Sequence, residues 1–276
     1  MTPVSERPLA PKKSIDWFGR KSPLPDLALL ALIFPLIGWV IYMGAESMGY
    51  NWQWYRMPQY FYRLTEDGFQ WGEIVIGLMK TIQLSATAFF FATLLGLIVA
   101  LLRLSGLVVG TAVAVAFLEF VRNMPILVLL YLFYYVLGPI FKLDRYTASI
   151  LCLAVFHAAL ISEIFRAGIN SVPKGQWEGA TSIGMSKSQA YRYIILPQSV
   201  RFMLPPMTGE VVHLIKSSAI VSVIAVAELT TIGRNLISDT YMSFEIWFTI
   251  AAVYMVVTLV LSIGVSRVEK KYAVQT

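Results

Sequence analysis

Apolar residues run through this chain in blocks long enough to cross a bilayer, and polar residues collect between the blocks. A helix needs roughly 20 mostly apolar residues to span the hydrocarbon core. Six segments meet that length: residues 27–45, 74–102, 107–138, 146–165, 207–227 and 246–266. They are not equal. The first is clean apart from Pro35 and Gly38, and the second carries Lys80 and Gln83 near its start. The third is interrupted by EFVRNMP at residues 119–125, and the fourth is clean until Glu163. The fifth is the weakest, because it holds Glu210, His213 and Lys216; the sixth is clean.

The longest polar stretch after the second block, residues 171–206, has a pattern of its own. A short helix is expected over about 175–183, with Trp177, Ala180 and Ile183 on one face. Gly184 follows, where a left-handed residue ends a helix. Ser186 stands three residues before Gln189, the spacing of a capping box. A second helix is expected through AYRYIIL, and Pro197, which lacks an amide proton, is expected to end it. Glu178 lies in the first turns of the first helix, where the dipole favours an acid. Gly179 and Ala180 beside it leave room for another surface.

Composition agrees with a membrane protein. The chain has 276 residues, 57% hydrophobic and 14% charged, with a mean hydropathy of +0.67. Soluble domains carry about 25% charged residues. The net charge of +6 therefore reads by its place relative to the bilayer, and no basic run interleaved with aromatics suggests nucleic acid. With the N-terminus inside, fourteen Lys and Arg lie in inside segments against five in outside segments. That asymmetry puts both termini and the 171–206 stretch in the cytoplasm. The first block starts too late for a cleaved signal peptide and is read as a retained anchor. Residues 46–73 then lie outside, and the run NWQWYRMPQYFYR suits an element at the headgroup level.

Candidate chemistry is sparse. Cys152 is the only cysteine, so there is neither a disulfide nor a cysteine metal site. His157 and His213 are far apart in sequence, and His157 is expected to pack rather than ligate; no metal site and no catalytic residue are expected. GATSIGMS, residues 179–186, has phosphate-loop spacing with Met185 where lysine is required, so any ATP must be bound elsewhere. Charges in spans are costly and are paired or functional. Glu119 and Arg122 are three apart and can pair on one helix face. Glu163 with Arg166, and Glu210 with His213, share that spacing. Structural neutralisation and contact with a transported substrate both fit Glu119, Arg122, Glu210 and Lys216.

GQWEGATSIGMSKSQAYRYIILPQ resembles the coupling motif of ABC importer permeases, matching at Glu178, Gly179, Ala180, Gly184, Leu196 and Pro197. Gly179 departs mildly from the usual alanine. GLMKT at residues 77–81, EFVRNMPILVLLY and SEIFRAGINSVPKGQ resemble further signatures of the polar amino acid subfamily (histidine, glutamate, glutamine, arginine and opine type), close to glutamate/aspartate membrane subunits. KSSAIVS at residues 216–222 departs from a Lys-Asp-Thr-Ser-Leu pattern.

The resemblance implies an all-α, polytopic, type I importer fold with a five-helix core and an added N-terminal helix. The expected division is a tail at 1–26, the extra helix and outside loop at 27–73, a permease domain at 74–266 with its coupling loop at 171–206, and a tail at 267–276. It implies a non-catalytic permease in a bacterial cytoplasmic membrane, moving a polar amino acid by alternating access. Its implied partners are ATPase subunits that bind ATP and magnesium, a second permease (identical or sibling), an extracytoplasmic solute-binding protein and membrane lipid. This chain itself is expected to bind no cofactor. A self-sufficient secondary transporter or channel is the alternative, disfavoured by the absence of an inverted repeat.

Overall fold

A computed structural model describes residues 24–66 and 68–272; the tail at 1–23, the last four residues and the terminal charges expected there lie outside the described residues. The chain divides at Trp52 into two units. The first contains α1 (Leu24–Ser47), which carries Pro35 internally. Its 24 residues give about 36 Å at 1.5 Å per residue, enough to span. The larger residues from Leu29 to Met43 are exposed, as a helix destined for lipid requires.

The second unit opens on a 3₁₀ helix (Trp54–Tyr60) and an antiparallel hairpin of β1 (Tyr62–Thr65) and β2 (Gly68–Trp71). The sequence reading expected no strand. The register pairs Tyr62 with Trp71 and Leu64 with Phe69. Period-two alternation thus puts four apolar side chains on one exposed face, with Arg63 and Gln70 on the other. The Gln53 amide donates to Glu245 Oε1 at 2.6 Å, and Arg63 pairs with Glu73 at 2.5 Å.

α2 (Glu73–Leu104) and α5 (Arg145–Asn170) form the centre. Their contact is built from small residues: Ala88, Ala92, Gly96 and Ala100 on α2, and Ala148, Ala154, Ala158 and Ala159 on α5, are buried. A Cβ on Gly96 would lie 2.8 Å from Ile161 Cγ2 and 3.0 Å from the Ala158 carbonyl oxygen. Two helices this close need glycine at that point, the usual solution where lipid offers no hydrophobic drive.

The third expected span is broken. α3 (Val108–Arg122) and α4 (Ile126–Phe141) meet at 106°. Pro125 cannot donate to α3 and crowds its carbonyls, and the Asn123 side-chain amide donates to the Glu119 carbonyl at 2.8 Å. Asp144 caps α5, accepting from the Tyr146 amide at 2.9 Å and from the Thr147 hydroxyl at 2.5 Å. The Thr147 hydroxyl holds the Asp144 carboxyl below its ordinary value.

After α6 (Lys174–Ser182) comes the largest departure from expectation. Pro197 does not end the second helix. One helix, α7, runs Lys187–Ile224, through Pro197, Pro205 and Pro206. The reason is a π-helical turn at Tyr191–Ile195, where the Leu196 amide reaches back five residues to the Tyr191 carbonyl. The widened turn resets the register, so Pro197 falls in the first turn of the next α segment, where no amide is needed. The expected fifth span at 207–227 therefore begins at Lys187, and the loop expected over 171–206 shrinks to α6 and its two joints. α7 ends in a 3₁₀ stretch (Ser218–Ile224). α8 (Leu229–Thr240) and α9 (Ser243–Tyr272) complete the unit.

Candidate functional site: an elbow and a polar helix face

The elbow comprises α6, its glycine joint and the first turns of α7. It closes as a Schellman motif. The Met185 amide donates to the Ala180 carbonyl at 3.1 Å and the Gly184 amide to the Thr181 carbonyl at 3.0 Å. Gly184 has φ +77°, which a side chain would strain. The capping box expected from sequence is present: the Gln189 amide donates to Ser186 Oγ at 3.3 Å, and the Ser186 amide to Gln189 Oε1 at 2.8 Å. Trp177 meets Tyr191 edge to face at 5.0 Å. Gln198 donates to Gln176 at 3.2 Å. Beneath them, Ile169, Val172, Ile195 and Met203 form a buried cluster, which ties the elbow to the end of α5.

Of the six residues carrying the motif match, Ala180 is buried, while Glu178, Gly179, Gly184, Leu196 and Pro197 face outward. Ile183, expected on the same face as Trp177 and Ala180, is instead 71% exposed, because the helix has already ended there. A cleft of about 460 Å³ lies between Leu101 and Leu104 of α2 and Trp177 and Tyr191.

The polar face lies further along α7. Phe202, Pro206, Gly209, His213 and Lys216 are exposed at alternating spacings of four and three, so they form one stripe. Glu210 is tucked beside it. Its Oε1 lies 2.5 Å from His157 Nδ1 and 3.5 Å from His213 Nδ1. The expected Glu210–His213 pair exists, but His157 is the nearer partner. It lies 53 residues away in sequence, beyond any local spacing rule.

Glu119 and Arg122 do not pair as expected. Arg122 sits at the last residue of α3, where the helix stops. Glu119 Oε2 instead accepts from the Asn123 amide group at 3.0 Å. Arg122 lies 3.7 Å from Glu163, which also holds Arg103 and accepts from Arg166 at 2.8 Å. One carboxylate thus gathers three guanidiniums from α2, α3 and α5. Glu163 borders a cleft of about 430 Å³ with Phe202 and Pro206 of the α7 stripe. Sequence reasoning missed Arg103 here. It also missed buried Glu228, which caps α8 through the Thr230 and Thr231 amides at 2.8 and 2.7 Å.

Residues 92–274 match the family described as the binding-protein-dependent transport system inner membrane component. The chain belongs to that family. Its members are transport permease subunits, and the family is one of multi-pass inner-membrane proteins. The chain is 36% identical over 196 residues to the probable glutamine ABC transporter permease protein GlnM of Bacillus subtilis, covering 71% of this chain and 91% of that one. Over 245 residues it is 32% identical to the glutamate/aspartate import permease protein GltJ of Escherichia coli, covering 82% and 96%.

A solved amino acid ABC transporter crystallised with histidines aligns at 38% identity and a TM-score of 0.68, over 72% of this chain and 94% of that one. The MetNI methionine ABC transporter in an inward-facing form shares the fold at 19% identity and a TM-score of 0.62, covering 73% and 96%. This permease therefore has the helical, polytopic fold of the ABC importer membrane subunits.

Proposed function

We propose that this permease imports a polar amino acid in a complex with ATPase subunits, a second permease and an extracytoplasmic binding protein, with the elbow as the ATPase contact. The amino acid assignment follows the relatives, whose names specify glutamine or glutamate/aspartate import. The positive-charge asymmetry supports a cytoplasmic elbow and cytoplasmic termini.

The observation that carries the mechanism is the continuity of α7. The elbow is locked by local hydrogen bonds and packing, and from it a single helix runs to Glu210, His213 and Lys216 with no hinge at Pro197. The 20 or so residues between Gln189 and Glu210 span about 30 Å. A displacement of α6 by closure of an ATPase dimer is thus transmitted as a rigid-body movement to the polar stripe. A stripe with His213 and Lys216 is costly against lipid, so it faces the pathway or the second permease. There Lys216, and Arg122 beside Glu163, meet the substrate's carboxylate, and Glu210 meets its ammonium group. Glu119, held by Asn123, positions the end of α3.

Replacing Gly184 tests this reading. Gly184→Leu strains a left-handed position and disrupts the joint while leaving the spans intact. In the assembled complex, uptake and binding-protein-stimulated ATP hydrolysis should fall by about tenfold or more, a loss of roughly 1.4 kcal/mol of coupling. The amount of permease in the membrane should be unchanged. Normal uptake and normal stimulated hydrolysis would remove the elbow from the mechanism.

A further inference from the structure

His157, Glu210 and His213 form a cluster of which the import reading uses Glu210 alone and gives neither histidine a role. The three come from two helices, α5 and α7, and one ligand atom from each lies within 4.8 Å of the others. The two imidazole rings stand 5.2 Å apart at 70°. His157 is fully buried. Its Nδ1 is 2.5 Å from Glu210 Oε1, and its Nε2 is buried with no hydrogen-bond partner. A histidine placed only for packing would have both ring nitrogens satisfied or one in solvent. At 2.5 Å from a carboxylate oxygen, Nδ1 donates the ring proton to Glu210; a bound cation displaces that proton, and the unpartnered Nε2 is then free to carry the ring N–H. The second histidine then needs its own reason. His213 brings another Nδ1 to within 3.5 Å of the same carboxylate oxygen, with 51% of its side chain exposed.

We propose that His157, Glu210 and His213 bind a divalent transition-metal cation of the borderline class, with zinc as the type. Two imidazoles and one carboxylate are the donors such cations take, and they disfavour magnesium and calcium, which prefer all-oxygen sets. At metal–ligand distances of about 2.0–2.2 Å, tetrahedral donors stand roughly 3.3–3.5 Å apart. The Glu210–His213 separation already fits. The Glu210–His157 contact has to open by about 0.8–1 Å to reach that separation, and half-exposed His213 supplies the remaining adjustment by side-chain rotation. With three protein ligands, a fourth position stays open on the His213 side, which is also the route of entry. The cation bridges α5 to α7 beside the stripe. Its binding stands on the donor geometry and does not rest on the import reading.

The test uses the full-length permease in its complex, purified through a tag without histidine and stripped with chelator. Cobalt(II), a spectroscopic stand-in for zinc, is titrated in, and zinc is then used to displace it. The expected result is one equivalent per permease chain, with the intense visible bands of a four- or five-coordinate nitrogen/oxygen site. His213→Ala and Glu210→Gln should each weaken binding by at least roughly tenfold. His213 is the preferred variant because its exposed ring can be removed without opening the core; unchanged thermal unfolding of the stripped protein checks this. His213→Cys should restore binding and add a sulfur-to-cobalt charge-transfer band, which a merely structural role for His213 would not produce. Absence of a four- or five-coordinate spectrum, or binding of the same strength in His213→Ala and Glu210→Gln, overturns the proposal. In His213→Ala, which removes no group assigned to the substrate, loss of cobalt binding with uptake intact separates this site from the transport reading.

Discussion

A side chain takes its role either from the turn or two of helix around it or from a partner on a distant helix. Ser186 with Gln189, and Gly184, could be read from spacing because a capping box and a left-handed helix end are decided within a few residues. Glu119 and Arg122 obeyed a spacing rule that presumes a continuing helix, and the helix stops at Arg122, releasing its guanidinium to Glu163. The His157–Glu210 contact joins residues 53 apart, which no periodicity reports. Gly96 illustrates the same limit. It reads as one more small residue in an apolar block, yet α2 and α5 touch there, with Ile161 and the Ala158 carbonyl within 3.0 Å of where a side chain would begin. Gly96→Val should cost about 1–3 kcal/mol by overpacking, seen as a lowered midpoint of thermal unfolding in detergent. An unchanged midpoint would mean that the two helices separate freely at that level.

Elements were legible wherever apolar length decided them. The spans at 27–45, 74–102, 146–165 and 246–266 lie inside the helices Leu24–Ser47, Glu73–Leu104, Arg145–Asn170 and Ser243–Tyr272. Proline misled in one direction only. Pro125 breaks its span as its chemistry requires, whereas Pro197 is absorbed by a π-turn, a backbone feature without a sequence signature. That turn fixes the rotation of the elbow about the α7 axis. Removing the proline that the turn accommodates, Pro197→Ala, with no residue deleted, should let the turn relax to plain α-helix and rotate the elbow by about 100° relative to the polar stripe. The complex should remain folded while stimulated ATP hydrolysis and uptake fall about tenfold or more. Retained coupling in that variant would show that the angular setting of the elbow is unimportant.

For the molecule as a whole, the sequence revealed the class, which follows from hydropathy; of the six expected crossings, five are single long apolar helices and the third is the bent pair α3 and α4. The sequence did not reveal the hairpin at Tyr62–Trp71, whose aromatic residues suit an interfacial helix equally well. The proposed orientation can be checked with the chain's own quiet background. Cys152 is the sole cysteine and is fully buried, so the unmodified protein should resist membrane-impermeant maleimide. Glu178→Cys should then label in inside-out vesicles and not in intact cells with a permeable outer layer, and Tyr62→Cys should show the opposite. Labelling of both from the same side would invert or abolish the proposed topology.

The closed elbow has a thermodynamic consequence. Its Schellman bonds, capping box and Trp177–Tyr191 contact are complete within this chain, so its shape needs no partner to induce it. The proposed ATPase contact at Glu178 would thus meet a preformed surface and would not have to order a loop. Association is then spared the ordering entropy of several residues. Its heat-capacity change should match the area buried at the contact alone, without the added signature of coupled folding.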